Sequence, residues 1–169
     1  MIEGFVIRRA VEADVALILA FIRKLAAYER LADELEVTEE RLQQTLFRES
    51  RGAEVIIGEY HQAPVAFALF FHNYSTFLGK PGIYIEDLYV DEPYRRNGFG
   101  FAMLQHIVRL AKERNCGRVE WAVLDWNEPA IRFYESLGAR AMSDWTIYRL
   151  SGSSLERLAE GNRMGAELF

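Results

Sequence analysis

The chain has 169 residues, half of them hydrophobic and 13% aromatic, which suits one compact domain with a sizeable core and excludes disorder over most of its length. A formal net charge of −5 argues against a nucleic-acid or anionic-membrane partner, and no apolar run approaches the roughly 20 residues that span a bilayer. The single cysteine, Cys116, allows no intrachain disulfide and no CxxC pair, and Met1 to Phe5 lack the basic and apolar regions of a signal peptide, so a reducing cytoplasm is the expected location.

Phe5–Arg9 alternates apolar and polar residues and predicts a first strand. Asp14 is placed to cap a helix whose apolar stripe includes Val15, Ile18, Phe21, Ile22 and Leu25. After a polar stretch from Glu29 to Val37, Thr38 can cap a second helix, with Glu39 and Glu40 favourably placed in its first turn. Ala53–Tyr60 and Val65–Tyr74 flank His61-Gln62-Ala63-Pro64 and predict a hairpin. The loop Ser75–Gly82 then leads into a strand over Ile83–Val90. Asp91-Glu92-Pro93-Tyr94 turns the chain towards glycines and a helix reaching about Arg114, with Met103, Ile107, Leu110 and Ala111 at core spacing.

Arg118–Leu124 predicts a fifth strand, with Val119, Trp121 and Val123 on one face and Glu120, Ala122 and Leu124 on the other. Pro129 and Gly138 frame a short helix, Thr146–Leu150 a last strand, and Ser153–Gly161 a small terminal helix. The order predicts a single α/β domain over 1–169, with its core at about 5–150 and a tail at 151–169. Its sheet is expected to be mixed, with helices on both faces. A right-handed crossover would make 83–90 and 118–124 parallel neighbours.

The segment Arg95-Arg96-Asn97-Gly98-Phe99-Gly100 follows a strand and turn and opens an amphipathic helix. Unpaired N–H groups at a helix start attract anions, and Gly98 and Gly100 let a diphosphate approach the backbone with no Cβ in the way. Arg95 or Arg96 can add a charged contact. Glycine spacing alone fits equally a loop that merely turns a strand into a helix. A dinucleotide fingerprint fails on context, because Met103 stands at the third glycine position and Asp91–Asn97 separates strand from glycines. No GK[ST] is present for a Walker A loop.

Arg-x-x-Gly-x-Gly after a strand resembles the coenzyme A diphosphate loop of the GNAT superfamily of acyl-CoA N-acyltransferases. Arg8-Arg9-Ala10-x-x-x-Asp14 looks like that family's opening strand and helix, and Asn127-Glu128-Pro129-Ala130-x-x-Phe133-Tyr134-x-x-x-Gly138 like its late coenzyme A-contacting helix. More narrowly, Leu25-Ala26-Ala27-Tyr28-Glu29, Ile85-Glu86-Asp87-Leu88-Tyr89-Val90 and Val123-Leu124-Asp125-Trp126-Asn127-Glu128-Pro129 resemble the spermidine/spermine acetyltransferases and their thialysine acetyltransferase relatives.

The resemblance implies acetyl-CoA as co-substrate, no metal, and transfer to the primary amine of a small cationic metabolite. Alkylammonium groups have a pKa near ~10.4, so a base must free the nucleophile. Glu86, inside an apolar strand, is the expected base, directly or through a water. Tyr134 is the expected acid for the departing thiolate. The resemblance gives Leu88, Tyr89 and Val90 to the acetyl and pantetheine arm, and Arg95, Arg96, Asn97, Gly98, Phe99, Gly100 and Phe101 to the diphosphate. Asn127 either caps its helix or contacts the cofactor. Tyr28, Glu29, Glu86, Glu120, Trp121 and Ala122 are expected around the acceptor amine, with the acidic side chains among them holding the cation by charge-assisted hydrogen bonds. His61, His72 and His106 are scattered over a turn, a strand and a helix and suggest neither a metal site nor a triad. A homodimer is expected. The alternatives are a protein or peptide N-acetyltransferase and a non-catalytic acyl-CoA-binding module.

Overall fold

The computed structural model describes residues 2–48 and 52–161. The chain divides into two compact units, 1–126 and 127–169. The first holds a five-stranded sheet in the order β1-β2-β3-β4-β5. Its strands are β1 (Phe5–Arg9), β2 (Glu54–Tyr60), β3 (Ala63–Ser75), β4 (Lys80–Val90) and β5 (Val119–Trp121). The first four pair antiparallel and β5 joins β4 in parallel, so the sheet is mixed, as the alternation of hairpins and crossovers predicts.

Two helices, α1 (Val15–Glu29) and α2 (Glu39–Phe47), cover one face. Ile18, Phe21 and Leu25 of α1 and Leu42 and Leu46 of α2 pack with Val55, Ile57, Phe67 and Tyr89 of the sheet. By the pleat, Ile56, Ala68, Phe70 and Ile83 point to the opposite face, and all are buried. There α3 (Phe99–Glu113) contributes Met103, Ile107 and Ala111 to the core. At its start Phe99 stacks on Phe5 of β1 with ring centroids 4.3 Å apart, which pins the helix N-terminus to the sheet edge.

Thr38 caps α2 as expected, its Oγ1 accepting from the Arg41 N–H at 3.2 Å. Asp14 differs from expectation. It stands at the N-cap of α1 but accepts no helix amide; its carboxylate takes the Val11 N–H and a two-toothed hydrogen bond from Arg8. The Arg8 guanidinium, with that amide, holds the Asp14 carboxyl below the usual carboxylate range. Arg8 also donates to Glu59 on β2, so β1, β2 and the start of α1 share one cation.

The fifth strand is shorter than the expected 118–124. Its ladder ends where Ile85 meets Trp121, and one residue later β4 carries a bulge: Leu69 of β3 faces Asp87 while Phe70 faces Ile85, leaving Glu86 as the extra residue. A parallel partner cannot keep register past such an insertion. In the second unit, α4 (Glu128–Ser136) and α5 (Gly152–Ala159) form where the sequence predicts helices. Thr146–Leu150 does not form the expected strand; no strand lies in that unit to pair with it among the described residues, and Ile147 and Tyr148 are exposed. The end of the predicted tail, 162–169, lies outside the described residues.

Candidate active site

The loop before α3 is built to present backbone. A short 3-10 turn, Glu92–Tyr94, follows β4, and the chain then reverses through two left-handed residues, Arg96 (φ 67) and Gly98 (φ 80). Gly98 is the N-cap and offers no side chain to the helix. The first helical bond runs from the Ala102 N–H to the Gly98 carbonyl, so the N–H groups of Phe99, Gly100 and Phe101 have no partner within the helix. A Cβ at Gly100 would have only Val90 Cγ2 nearby, at 3.8 Å, so the space beside its Cα is open. Asn97 braces the loop from within, its Nδ2 donating to the Tyr94 carbonyl at 3.1 Å. Phe99 faces the core and Phe101 is exposed. This set of uncapped amides, with no Cβ at Gly100 or at the Gly98 cap before it, fits a diphosphate.

Next to the loop, β4 outruns its partner. β5 pairs only with Ile83–Ile85, which leaves the stretch from Glu86 to Val90 without a strand on that side in the first unit. Direction follows from one hydrogen bond: the Asp91 N–H donates to Val65 on β3, so by alternation Leu88 and Val90 turn their N–H and C=O groups away from β3. Tyr89, by the same alternation, turns its backbone to Phe67 and its ring to Phe21. Of the three residues expected on the acetyl and pantetheine arm, Leu88 thus turns its N–H and C=O to the open edge and Val90 its N–H, while the Val90 carbonyl accepts from Arg95 Nε at 3.0 Å.

The bulge also shapes an acidic wall. Glu86 is exposed, whereas Asp87 is largely buried, and its carboxyl is pushed up to about 7 by that burial, reinforced by the charges of Glu86 and Glu29. Glu29, at the last turn of α1, is itself raised by burial. Three carboxyl groups therefore share one region, and the charges that act on Asp87 are both negative. Such a site gains by receiving a positive charge.

Tyr28, beside Glu29, has its ring centroid 5.9 Å from that of Trp126, and the Arg30 guanidinium lies 5.5 Å from the Trp126 ring. Arg95 adds a second cation to this cluster, 4.4 Å from the Tyr28 ring centroid.

Other expected residues are placed differently. The Glu120 carboxylate accepts from Asn73 Nδ2 at 2.7 Å and pairs with Arg118 Nε at 2.8 Å, so it is already engaged. Trp121 ends β5, and Ala122 lies just beyond it, exposed. Asn127 and Tyr134 belong to the second unit. There the Asn127 carbonyl accepts the Ala130 and Ile131 N–H groups at the start of α4, and its side chain makes no cap. Tyr134 lies half-buried on that helix, its ring 5.4 Å from Phe133. Sequence reasoning misses Asp87 and Trp126 as members of the site. The signal for Asp87 is a second acid in an apolar strand, which only a bulge can accommodate beside Glu86. Trp126 stands inside one of the family-like motifs, where packing is the ordinary role of a tryptophan.

The chain matches the family model described as "Acetyltransferase (GNAT) family" over residues 24–139. It is similar to thialysine N-epsilon-acetyltransferase of Bos taurus, at 35% identity over 90% of this chain and 96% of that one. It is also similar to L-ornithine N5-acetyltransferase NATA1 of Arabidopsis thaliana, at 33% identity over 92% and 88%. Among solved structures, an integron cassette protein from V. cholerae superposes with a TM-score of 0.79 at 26% identity, covering 93% of this chain and 98% of that one.

Proposed function

The chain belongs to the GNAT family of acetyltransferases and moves acetyl from acetyl-CoA to an amine, and from that premise we propose that its acceptor is the primary amine of a small cationic metabolite: a polyamine, a diamine or a thialysine- or lysine-like amino acid. The observation that carries this reading is the largely buried Asp87 carboxyl, pushed up to about 7 by burial and by the charges of Glu86 and Glu29. Three acids form a receptor for an alkylammonium by charge-assisted hydrogen bonds. The relatives named for thialysine and ornithine support acceptors that carry more than one charged group.

Acetyl-CoA, when bound, supplies the thioester carbonyl that the amine attacks directly. The amides of Gly98–Phe101 hold its diphosphate, and the Leu88 and Val90 backbone at the open edge orients its arm. Asp87 and Glu29 receive the ammonium. Glu86, exposed on the bulge, takes the proton directly or through a water. Tyr134 returns a proton to the thiolate, and Asn127 steadies the cofactor arm or the start of α4. No residue in this scheme needs a metal.

The remaining parts of the reading are a homodimer and a cytoplasmic location. The exposed Trp145, Ile147 and Tyr148 and the single cysteine support them. Among the described residues no helix is long and apolar enough to cross a membrane. Coenzyme A release with spermidine, thialysine, lysine, ornithine and short diamines, against a panel of peptides, tests the acceptor class. Turnover on peptides alone would reject it.

A further inference from the structure

We propose that Arg95 is a positioning residue that clamps the cofactor loop to the acceptor wall, so that filling the loop sets the place of Tyr28. The proposal deepens the reading above and rests on it for the identity of the two sites.

Arg95 stands three residues before the Gly98 cap, where a diphosphate contact is the obvious role. Its side chain is engaged elsewhere. Nε donates to the Val90 carbonyl at 3.0 Å, Nη1 lies 3.7 Å from Glu92, and the guanidinium covers the rings of Tyr28 at 4.4 Å and Tyr89 at 5.4 Å. It thus closes one of the outward carbonyls of β4 and lies against the last turn of α1. From there the contacts run on to Trp126 and Arg30.

Tyr28 precedes Glu29, one of the three acids of the wall. A shift of residue 95 when the loop fills therefore reaches the acceptor side through one planar contact. Arginine suits this role because it is always charged, its fork can hold a carbonyl at Nε, and its face still stacks on a ring. Lysine keeps the charge alone.

Hydrogen exchange with and without coenzyme A, on the whole chain, tests the clamp. In the wild type, coenzyme A should slow exchange at 26–31 as well as at 96–101. In Arg95→Lys the protection at 96–101 should stay and that at 26–31 should vanish. The KM for the amine should rise about tenfold while kcat falls less than about threefold, as expected for a lost stacking contact that acts on acceptor placement. Tyr28→Leu should lose the same protection, Tyr28→Phe should keep it, and the double variant Arg95→Lys/Tyr28→Leu should raise KM no further than the worse single one.

A tenfold loss of coenzyme A affinity in Arg95→Lys, with amine KM unmoved, would make Arg95 a diphosphate ligand and overturn the clamp; so would equal protection of 26–31 in both proteins. If no amine is acetylated at all, the acceptor class fails, and the exchange comparison still decides the clamp.

Discussion

Residues 96–101 offer a ligand mostly backbone, whereas the wall of Tyr28, Glu29, Asp87 and Trp126 offers side chains from three separate stretches of chain. The first is a local structure: two left-handed residues and an uncapped helix start, all within a few positions of one another. The second exists only because α1 returns to the end of β4, where the bulge leaves Glu86 outside the ladder next to Asp87. A backbone site tolerates many side chains and fails when one is added where none belongs. A side-chain site fails when a single charge is lost.

The largest expected effect is on the chemical step. Glu86→Gln should lower kcat about 100-fold or more while coenzyme A affinity, measured by calorimetry, stays within about threefold. Normal turnover in this variant would remove Glu86 from the base role. Asp87→Asn should act on binding instead, raising amine KM about 30-fold, since a desolvated charge partner is lost. Its pH signature has a fixed sign. Below about 7 the Asp87 carboxyl is neutral and holds no ammonium, so kcat/KM should rise with pH up to that point and then level. In Asp87→Asn that break should be gone.

On the backbone side, Gly100→Val should weaken coenzyme A about tenfold by filling the open space beside its Cα. It should hardly change Tm, because only Val90 lies near a Cβ there. The smallest effect separates charge from fold. An unfolded aspartate titrates near ~3.9, and folded Asp87 at about 7, so the native state keeps the proton longer and stability falls as pH rises across that window. Removing the charge with Asp87→Asn should raise Tm by several degrees at pH 8 and by less at pH 5. Equal gains at both would show that its burial does not act on stability.

The same division explains what can be read in advance. The strand order up to β4, the hairpin at His61-Gln62 and the loop before α3 are legible because period, turn residues and glycines lie close together in sequence. The end of β5 is not, since Val123 and Leu124 carry strand-like alternation and only the bulge in a neighbouring strand stops them. Thr146–Leu150 fails in the same way, as alternation without a partner. Spacing leaves Glu120 free to hold a cation, but Asn73 reaches it across the sheet and Arg118 pairs with it from the same edge. Asp87 is illegible because its character comes from what surrounds it.

The extra residue of β4 has a consequence for the sheet as a whole. Were Glu86 deleted, Ile85 would run straight into Asp87 with alternation unbroken, and every later side chain would keep its face. The mended strand would match β3 without interruption and β5 would be free to zip further along it. A chain one residue shorter would therefore form the more continuous sheet, and the gap between β4 and the end of β5 is what the extra residue keeps open.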